Sequence, residues 1–287
     1  MPRAWATAQR QPPAEKREDP VTVLVTGFGP FLERFPKNTS WEIASTLPAL
    51  LPATSDNPTP IHIHVHHAPI RVAYNSVRSL IPKLLPPENP ITPVPSIILH
   101  IGLAAGRDFY TLENGSHGRG YGAIPDVDGE RFTDQESEEA FPRSSFPPVL
   151  KTSFDTSDVL SRWKANLTDI HPTSDARSSS HIPPKRVPDV RLTPDAGNFL
   201  CGFIYYNSLA HYFDIKEDER PVAFLHVPDL SSSEVALDVG REVAIALIKA
   251  LVESRRVKGC VDSLQGVKLP NQDEVENVSA STDFNFA

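Results

Sequence analysis

Short, unbroken apolar runs alternate along the chain with longer stretches of helical periodicity. Val21 to Thr26, Ser96 to Ile101 and Val222 to Val227 are apolar or β-branched at nearly every position. This predicts strands buried on both faces of a sheet, because a half-solvated strand would alternate. Apolar residues at three- and four-residue spacing predict helices over Trp41 to Leu50, Ala73 to Leu85, Ser157 to Leu167 and Phe199 to Tyr212. The clearest stripe comes last, with Val235, Val239, Val243, Leu247 and Leu251 on one face. The alternation predicts a single α/β domain over 21–257, with a twisted, mostly parallel central sheet flanked by helices. Residues 1–20 and 258–287 lack sustained periodicity and read as loose tails. One segment breaks the rhythm: Asp169 to Val187, rich in serine, proline and charge, reads as a surface insertion (169–187).

Composition narrows the function classes. A chain of 287 residues can build a sizeable core. Its net charge of −8 argues against a nucleic-acid partner, since such binders display clustered basic surface. No apolar run approaches the ~20 residues needed to cross a bilayer, so no membrane partner is expected. The first twenty residues hold no apolar segment of the kind a secretory leader needs, and a cytoplasmic protein is expected. The Asn-x-Ser/Thr triplets at Asn38, Asn114, Asn166 and Asn277 then read as chance. Cys201 and Cys260, the two cysteines, suit a reducing compartment and give no disulfide framework.

The first candidate for chemistry is Gly27-Phe28-Gly29-Pro30-Phe31, which closes the first strand. A dinucleotide fingerprint needs a third glycine where Leu32 stands. Pro30 also lacks the N–H that a phosphate cradle uses, and the two phenylalanines occupy space a pyrophosphate would need polar. An ordinary tight turn and an aromatic-lined pocket for a small neutral ligand both remain. Such a turn sits at the carboxyl end of a strand, where α/β sheets place their ligands. In Ile61 to His67, a strand would put His62, His64 and His66 on one face, roughly 6.6 Å apart. No acid or cysteine lies nearby in sequence to complete a metal set, so a solvated strand face is expected and no metal.

Three separated residues suggest catalysis. Asp195, Gly197 and Asn198 are turn and N-cap types, and an aromatic-rich helical run follows, so Cys201 falls in the first turn of a helix. There the free N–H groups and the helix dipole stabilise a thiolate; the competing reading is a buried, inert cysteine. His226 lies near the carboxyl end of a buried strand, where a base could stand, although a histidine among apolar residues can equally be a core residue. Glu113 ends an aromatic-rich strand and could orient the imidazole.

At these residues the sequence resembles the pyroglutamyl-peptidase I family of cysteine peptidases. The resemblance covers roughly Val21 to Arg255 apart from the insertion. The family's opening turn is matched by Thr26 to Phe31, and its Asn-x-Ser-Trp by Asn38 to Trp41. Its glutamate motif is matched by Gly102, Ala105, Thr111 and Glu113, its nucleophile motif by Asp195-Ala196-Gly197, Phe199, Leu200 and Cys201, and its histidine motif by Phe224 to Pro228. The resemblance implies removal of N-terminal pyroglutamate from peptides by Cys201, His226 and Glu113, with no cofactor or metal. It implies that Gly27, Phe28, Gly29 and Phe31 bind the substrate. Phe28 and Phe31 would cover the flat lactam ring while main-chain groups of the glycine turn hydrogen-bond it. The chain departs from bacterial members at Ala123, where they carry arginine, and at Asn114 to His117, which is closer to the animal version. These departures and the insertion would suit a rival reading: a non-catalytic ligand-binding or interaction protein on the same scaffold. Oligomeric state is not legible.

Overall fold

The first apolar run becomes strand β1, Val21–Gly27, buried at all but its first residue. The computed structural model describes residues 19–31, 36–55, 57–91, 93–168 and 187–261. In chain order β1 is followed by α1 (Thr39–Ala44), β2 (Leu50–Leu51), β3 (Ile61–Val65), α2 (Tyr74–Leu84), β4 (Ile97–Leu103) and β5 (Tyr110–Glu113). Then come β6 (Gly115–His117), α3 (Asp134–Ala140), β7 (Val149–Lys151), α4 (Thr156–Leu167) and β8 (Val190–Thr193). Helix α5 (Leu200–Ile215), β9 (Val222–Val227) and α6 (Glu234–Lys258) complete the chain. The expected tails and the 169–187 insertion fall almost wholly outside the described residues.

Seven strands form one sheet in the order β2-β3-β1-β4-β9-β5-β8. Strand β1 pairs parallel with β3 and β4, β4 with β9, and β5 with β8. Only the β2–β3 and β5–β9 pairs are antiparallel, so the sheet is mostly parallel, as the apolar runs predict. Strands β6 and β7 form a separate antiparallel ribbon.

Helices cover both faces, which is why β4 and β9 are buried throughout. On one face Val23, Val25, Ile63, Leu99 and Leu225 pack with residues of α1, α4 and α6. On the other, Leu24, Ile98 and Phe224 pack with residues of α2 and α5. Trp163 of α4 is fully buried and donates from Nε1 to the Val243 carbonyl of α6 at 2.9 Å. The predicted stripe of α6 sinks inward along the helix: Val235 is 66% exposed, Val239 partly buried, and Val243, Leu247 and Leu251 fully buried.

Helix α1 is shorter than the Trp41–Leu50 predicted. Pro48 has no N–H and disfavours helical backbone at Leu47, so the chain leaves through tight turns such as Leu47 N–H to the Ala44 carbonyl. His62 and His64 lie half-buried on β3, while His66 is past its end and bonds the Ala68 carbonyl through Nδ1 at 2.8 Å. Among the described residues no cluster of three or more His, Cys, Asp or Glu side chains is arranged to hold a metal ion. Among them, too, no helix is long and apolar enough to cross a membrane.

Candidate active site

Three adjacent strands carry one row of residues across the sheet. Gly102 of β4 is the register partner of His226 on β9, and His226 is opposite Thr111 of β5. Register partners project their side chains to the same face. That face carries α5: a methyl group on Gly102 would come within 2.8 Å of Cys201 Sγ and 2.7 Å of Phe224 Cζ. The missing side chain at Gly102 is therefore the space in which the sulfur stands, on the strand beside His226. Neighbouring strands lie about 4.8 Å apart, which brings thiol and imidazole onto adjoining positions of one surface.

Cys201 is 8% exposed, at the second residue of α5. The N-cap is Phe199, not Asn198, and its side chain makes no capping bond. The first intrahelical bond runs from Phe203 N–H to the Phe199 carbonyl at 2.9 Å, so the N–H groups of Leu200, Cys201 and Gly202 precede the helical ladder. The turn leading into α5 requires Gly197 in the left-handed region, at φ 87°. Asp195 fixes that turn, accepting from Gly197 N–H at 2.6 Å and from His117 Nδ1 at 2.5 Å. Ser116 donates to the Gly202 carbonyl at 2.9 Å, so β6 holds the start of α5 in place.

His226 is 1% exposed and its Nδ1 lies 2.7 Å from Glu113 Oε1. An ionised carboxylate only accepts, so Nδ1 carries the proton and the second ring nitrogen, Nε2, is left as the basic position. Glu113 is fully buried. Burial pushes its pKa up, but hydrogen bonds from His226 and Thr193, with the charges of His226 and Arg107, outweigh that and hold it below its ordinary value. Thr193 is the register partner of Glu113 on β8 and donates to Oε2. Thr111 and Arg107 both donate to Oε1, at 2.7 and 3.0 Å. One turn beyond Cys201, Tyr205 donates to the Glu113 main-chain carbonyl at 3.1 Å and ties α5 to β5. A second buried histidine, His100, bridges Thr26 Oγ1 at 2.7 Å and Ser208 Oγ at 2.9 Å, and burial lowers its pKa to about 3.

Beside Cys201 lies a pocket lined by Phe28, Phe31, Asn38, Val72, Leu103, Phe199, Leu200 and Cys201. Phe28 and Phe31 thus stand where the sequence places them. Gly27 and Gly29 lie in the turn that carries Phe28, behind the lining side chains. A Cβ on Gly27 would fall 2.7 Å from the Ser40 carbonyl, so this glycine lets α1 close on β1. The polar groups of the turn are engaged within the protein: Phe28 N–H with Ser40 Oγ, Gly29 N–H with the Ile70 carbonyl, and the Gly27 carbonyl with Ile70 N–H. Asn38 donates to the Gly29 carbonyl at 2.9 Å and accepts from Ser40 N–H and Oγ, so it braces the same turn. These bonds hold the turn, and with it the Phe28 ring, in place.

Arg107, Asn38, Val72 and Leu103 were not singled out for the site by sequence reasoning. Arg107 had one available signal, a lone cation in the loop six residues before the candidate acid.

No protein-family model matches the chain. Among curated proteins it is 28% identical over 233 residues to pyroglutamyl-peptidase 1 of Homo sapiens, spanning 80% of this chain and 90% of the relative. It is 28% identical over 218 residues to the pyrrolidone-carboxylate peptidase of Deinococcus radiodurans, spanning 76% and 82%. The crystal structure of pyrrolidone carboxyl peptidase from Thermus thermophilus superposes with a TM-score of 0.54 at 25% identity, over 81% of this chain and 99% of that one. The enzyme from Pyrococcus furiosus gives a TM-score of 0.57 at 20% identity over the same shares, a likeness of fold. The resemblance carried by the four motifs is thus borne out along most of the chain.

Proposed function

We propose that the protein is a cysteine exopeptidase that removes N-terminal pyroglutamate from peptides. The observation that carries the reading is the buried Glu113–His226 hydrogen bond on the strands beside the position over which Cys201 Sγ stands. In this reading His226 takes the proton of the Cys201 thiol, and the thiolate attacks the pyroglutamyl carbonyl carbon. His226 then delivers the proton to the leaving amine as the carbon–nitrogen bond breaks. Water, deprotonated by His226, hydrolyses the thioester and releases free pyroglutamate. Glu113 orients the imidazole and stabilises its cation. In this reading main-chain N–H groups near Cys201 hold the oxyanion.

Specificity follows from the lining. In this reading Phe28, Phe31, Val72, Leu103, Phe199 and Leu200 form the apolar wall against which an uncharged ring packs. A free amino terminus would bring an unpaired charge against that wall, at a cost of several kcal/mol. The pocket's polar side chain, Asn38, is committed to its own turn. Two cysteines outside any disulfide, one buried and one exposed, accord with a reducing, cytoplasmic location.

The test is hydrolysis of a fluorogenic pyroglutamyl amide, with Cys201→Ala alongside and the matching prolyl amide as the charged control. Turnover of the pyroglutamyl amide alone, lost in Cys201→Ala, is expected. Glu113→Gln should keep the fold and lose much of kcat. The loss should be smaller than the ~10⁴-fold that follows when the aspartate of a serine-protease triad becomes its amide, because a thiol needs its base less than a hydroxyl does. A folded wild-type protein that binds the amide without cleaving it would establish the binding-protein reading instead.

A further inference from the structure

Within the reading just given, we propose that Arg107 is a positioning residue whose charge keeps Glu113 ionised and aimed at His226. Arg107 stands on the loop between β4 and β5, outside the four motifs' matched positions. Its Nη1 donates to Thr111 Oγ1 at 2.7 Å and to Glu113 Oε1 at 3.0 Å. The Arg107 side chain is 16% exposed and that of Glu113 fully buried, so the ion pair is largely shielded from water.

Hydrogen-bond accounting shows what the cation does. The Thr111 hydroxyl has one proton. Because it accepts from Arg107, that proton is directed to Glu113 Oε1, 2.7 Å away. One guanidinium nitrogen therefore fixes two of the three donors on Oε1, the third being His226 Nδ1. The groups facing the carboxylate from other elements are His226 on β9 and Thr193 on β8, while Tyr205 on α5 donates to the main-chain carbonyl of the same residue. The threonines are neutral, and His226 is charged only in part of the cycle. Arg107 is the permanent cation of the set. Without it the buried carboxylate would bind a proton more readily, and a protonated Glu113 no longer fixes the Nδ1–H tautomer.

An opposite charge beside a carboxylate typically lowers its pKa by about one to three units. Arg107→Met should therefore move the acidic limb of the kcat/KM profile upward. It should lower kcat at neutral pH while KM changes little, because the pocket is untouched. Arg107→Lys keeps the charge and should restore the limb. A second readout needs no substrate: the pH dependence of iodoacetamide alkylation at Cys201, in a Cys260→Ser background. Its midpoint should rise in Arg107→Met and return in Arg107→Lys. If Arg107→Met does not fold, Arg107→Gln, which keeps amide donors without charge, is measured in its place. An unshifted activity limb and alkylation midpoint in the uncharged variant overturn the proposal. So does a kcat loss without a limb shift that lysine fails to restore, which is a loop-bracing role. A wild-type protein inactive on pyroglutamyl amides removes the peptidase reading, while the alkylation midpoints still decide the role of Arg107.

Discussion

Gly102→Ala tests the central geometric claim, that Cys201 Sγ stands over the position beside His226. The added methyl would lie 2.8 Å from Sγ, and 2.7 and 2.9 Å from two atoms of the Phe224 ring. Ordinary contacts are about 3.5–4.0 Å, so something must move by roughly 0.7 Å or more. Phe224 has little freedom: it is fully buried, with ring centroids 4.8 Å from His226 and 5.6 Å from Tyr205. The displacement therefore falls largely on the start of α5 and on the sulfur. Misplacing a reacting group by about 1 Å can cost ~10²-fold in rate, equivalent to about 2.7 kcal/mol of barrier. Overpacking a core costs about 1–3 kcal/mol of stability, a fall in Tm of about 2–12 °C in a domain this large. The assay is kcat and KM on a pyroglutamyl amide, the alkylation rate of Cys201 in a Cys260→Ser background, and a thermal melt. A large fall in kcat, a slower alkylation and a modest fall in Tm are expected together. An alanine variant with wild-type kcat and alkylation would show that the sulfur stands elsewhere, and the thiol–imidazole juxtaposition would fail with it.

Other consequences are testable in the same way. His100 has a folded pKa of about 3 against an ordinary 6.5, so the unfolded chain binds the extra proton between those values. Its contribution to stability is complete above pH 6.5 and declines as pH falls toward 3, by up to about 5 kcal/mol; urea melts of wild type and His100→Gln at pH 7 and 4 should show a shallower pH dependence in the variant. Trp163→Ala removes a fully buried ring and its bond to the Val243 carbonyl, and should cost about 3–5 kcal/mol in urea midpoints, with little change in KM of the folded fraction. Asn38→Ala releases the turn carrying Phe28 from both Gly29 and Ser40, and should raise KM more than it lowers kcat; an unchanged KM would remove the turn from the binding site.

What was legible in the sequence follows from burial. Strands β1, β4 and β9 are covered on both faces, and double coverage leaves an unbroken apolar run that needs no alignment to see. Short edge strands leave none: β2 has two residues, and β8 buries only Val190 of its four. Helix α3 leaves no apolar period, because its sequence, DQESEEA, is polar and buries Ser137 alone. Its signal was local, the capping box formed by Thr133 and Glu136. The cap of α5 lies one residue beyond Asn198, which has capping chemistry, because the chain enters the helix through the extended Phe199. Cys201 and His226 stand out as candidates because each sits near the end of an element whose pattern is visible. Thr193 and Arg107 could not be assigned roles, since these depend on the register of β8 against β5 and on a loop that turns back over the acid.

That register also orders the chemistry. Across the sheet the strands run β1, β4, β9, β5 and β8. Phe28 of the pocket follows β1, the sulfur stands over β4, the imidazole projects from β9, the carboxylate from β5, and its second anchor from β8. Each step is one strand spacing, so the apolar slot and the buried carboxylate lie about three spacings, or ~14 Å, apart. A neutral lactam and an ion pair make opposite demands on their surroundings. The slot must hold no unpaired charge, while Glu113 needs a cation and hydroxyl donors to stay ionised without water. A single strand end could not satisfy both. The spread across five strands keeps Arg107 beside the acid and leaves the rings of Phe28 and Phe31 in an uncharged wall, and under the proposed reading the thiol and the imidazole act between these two ends.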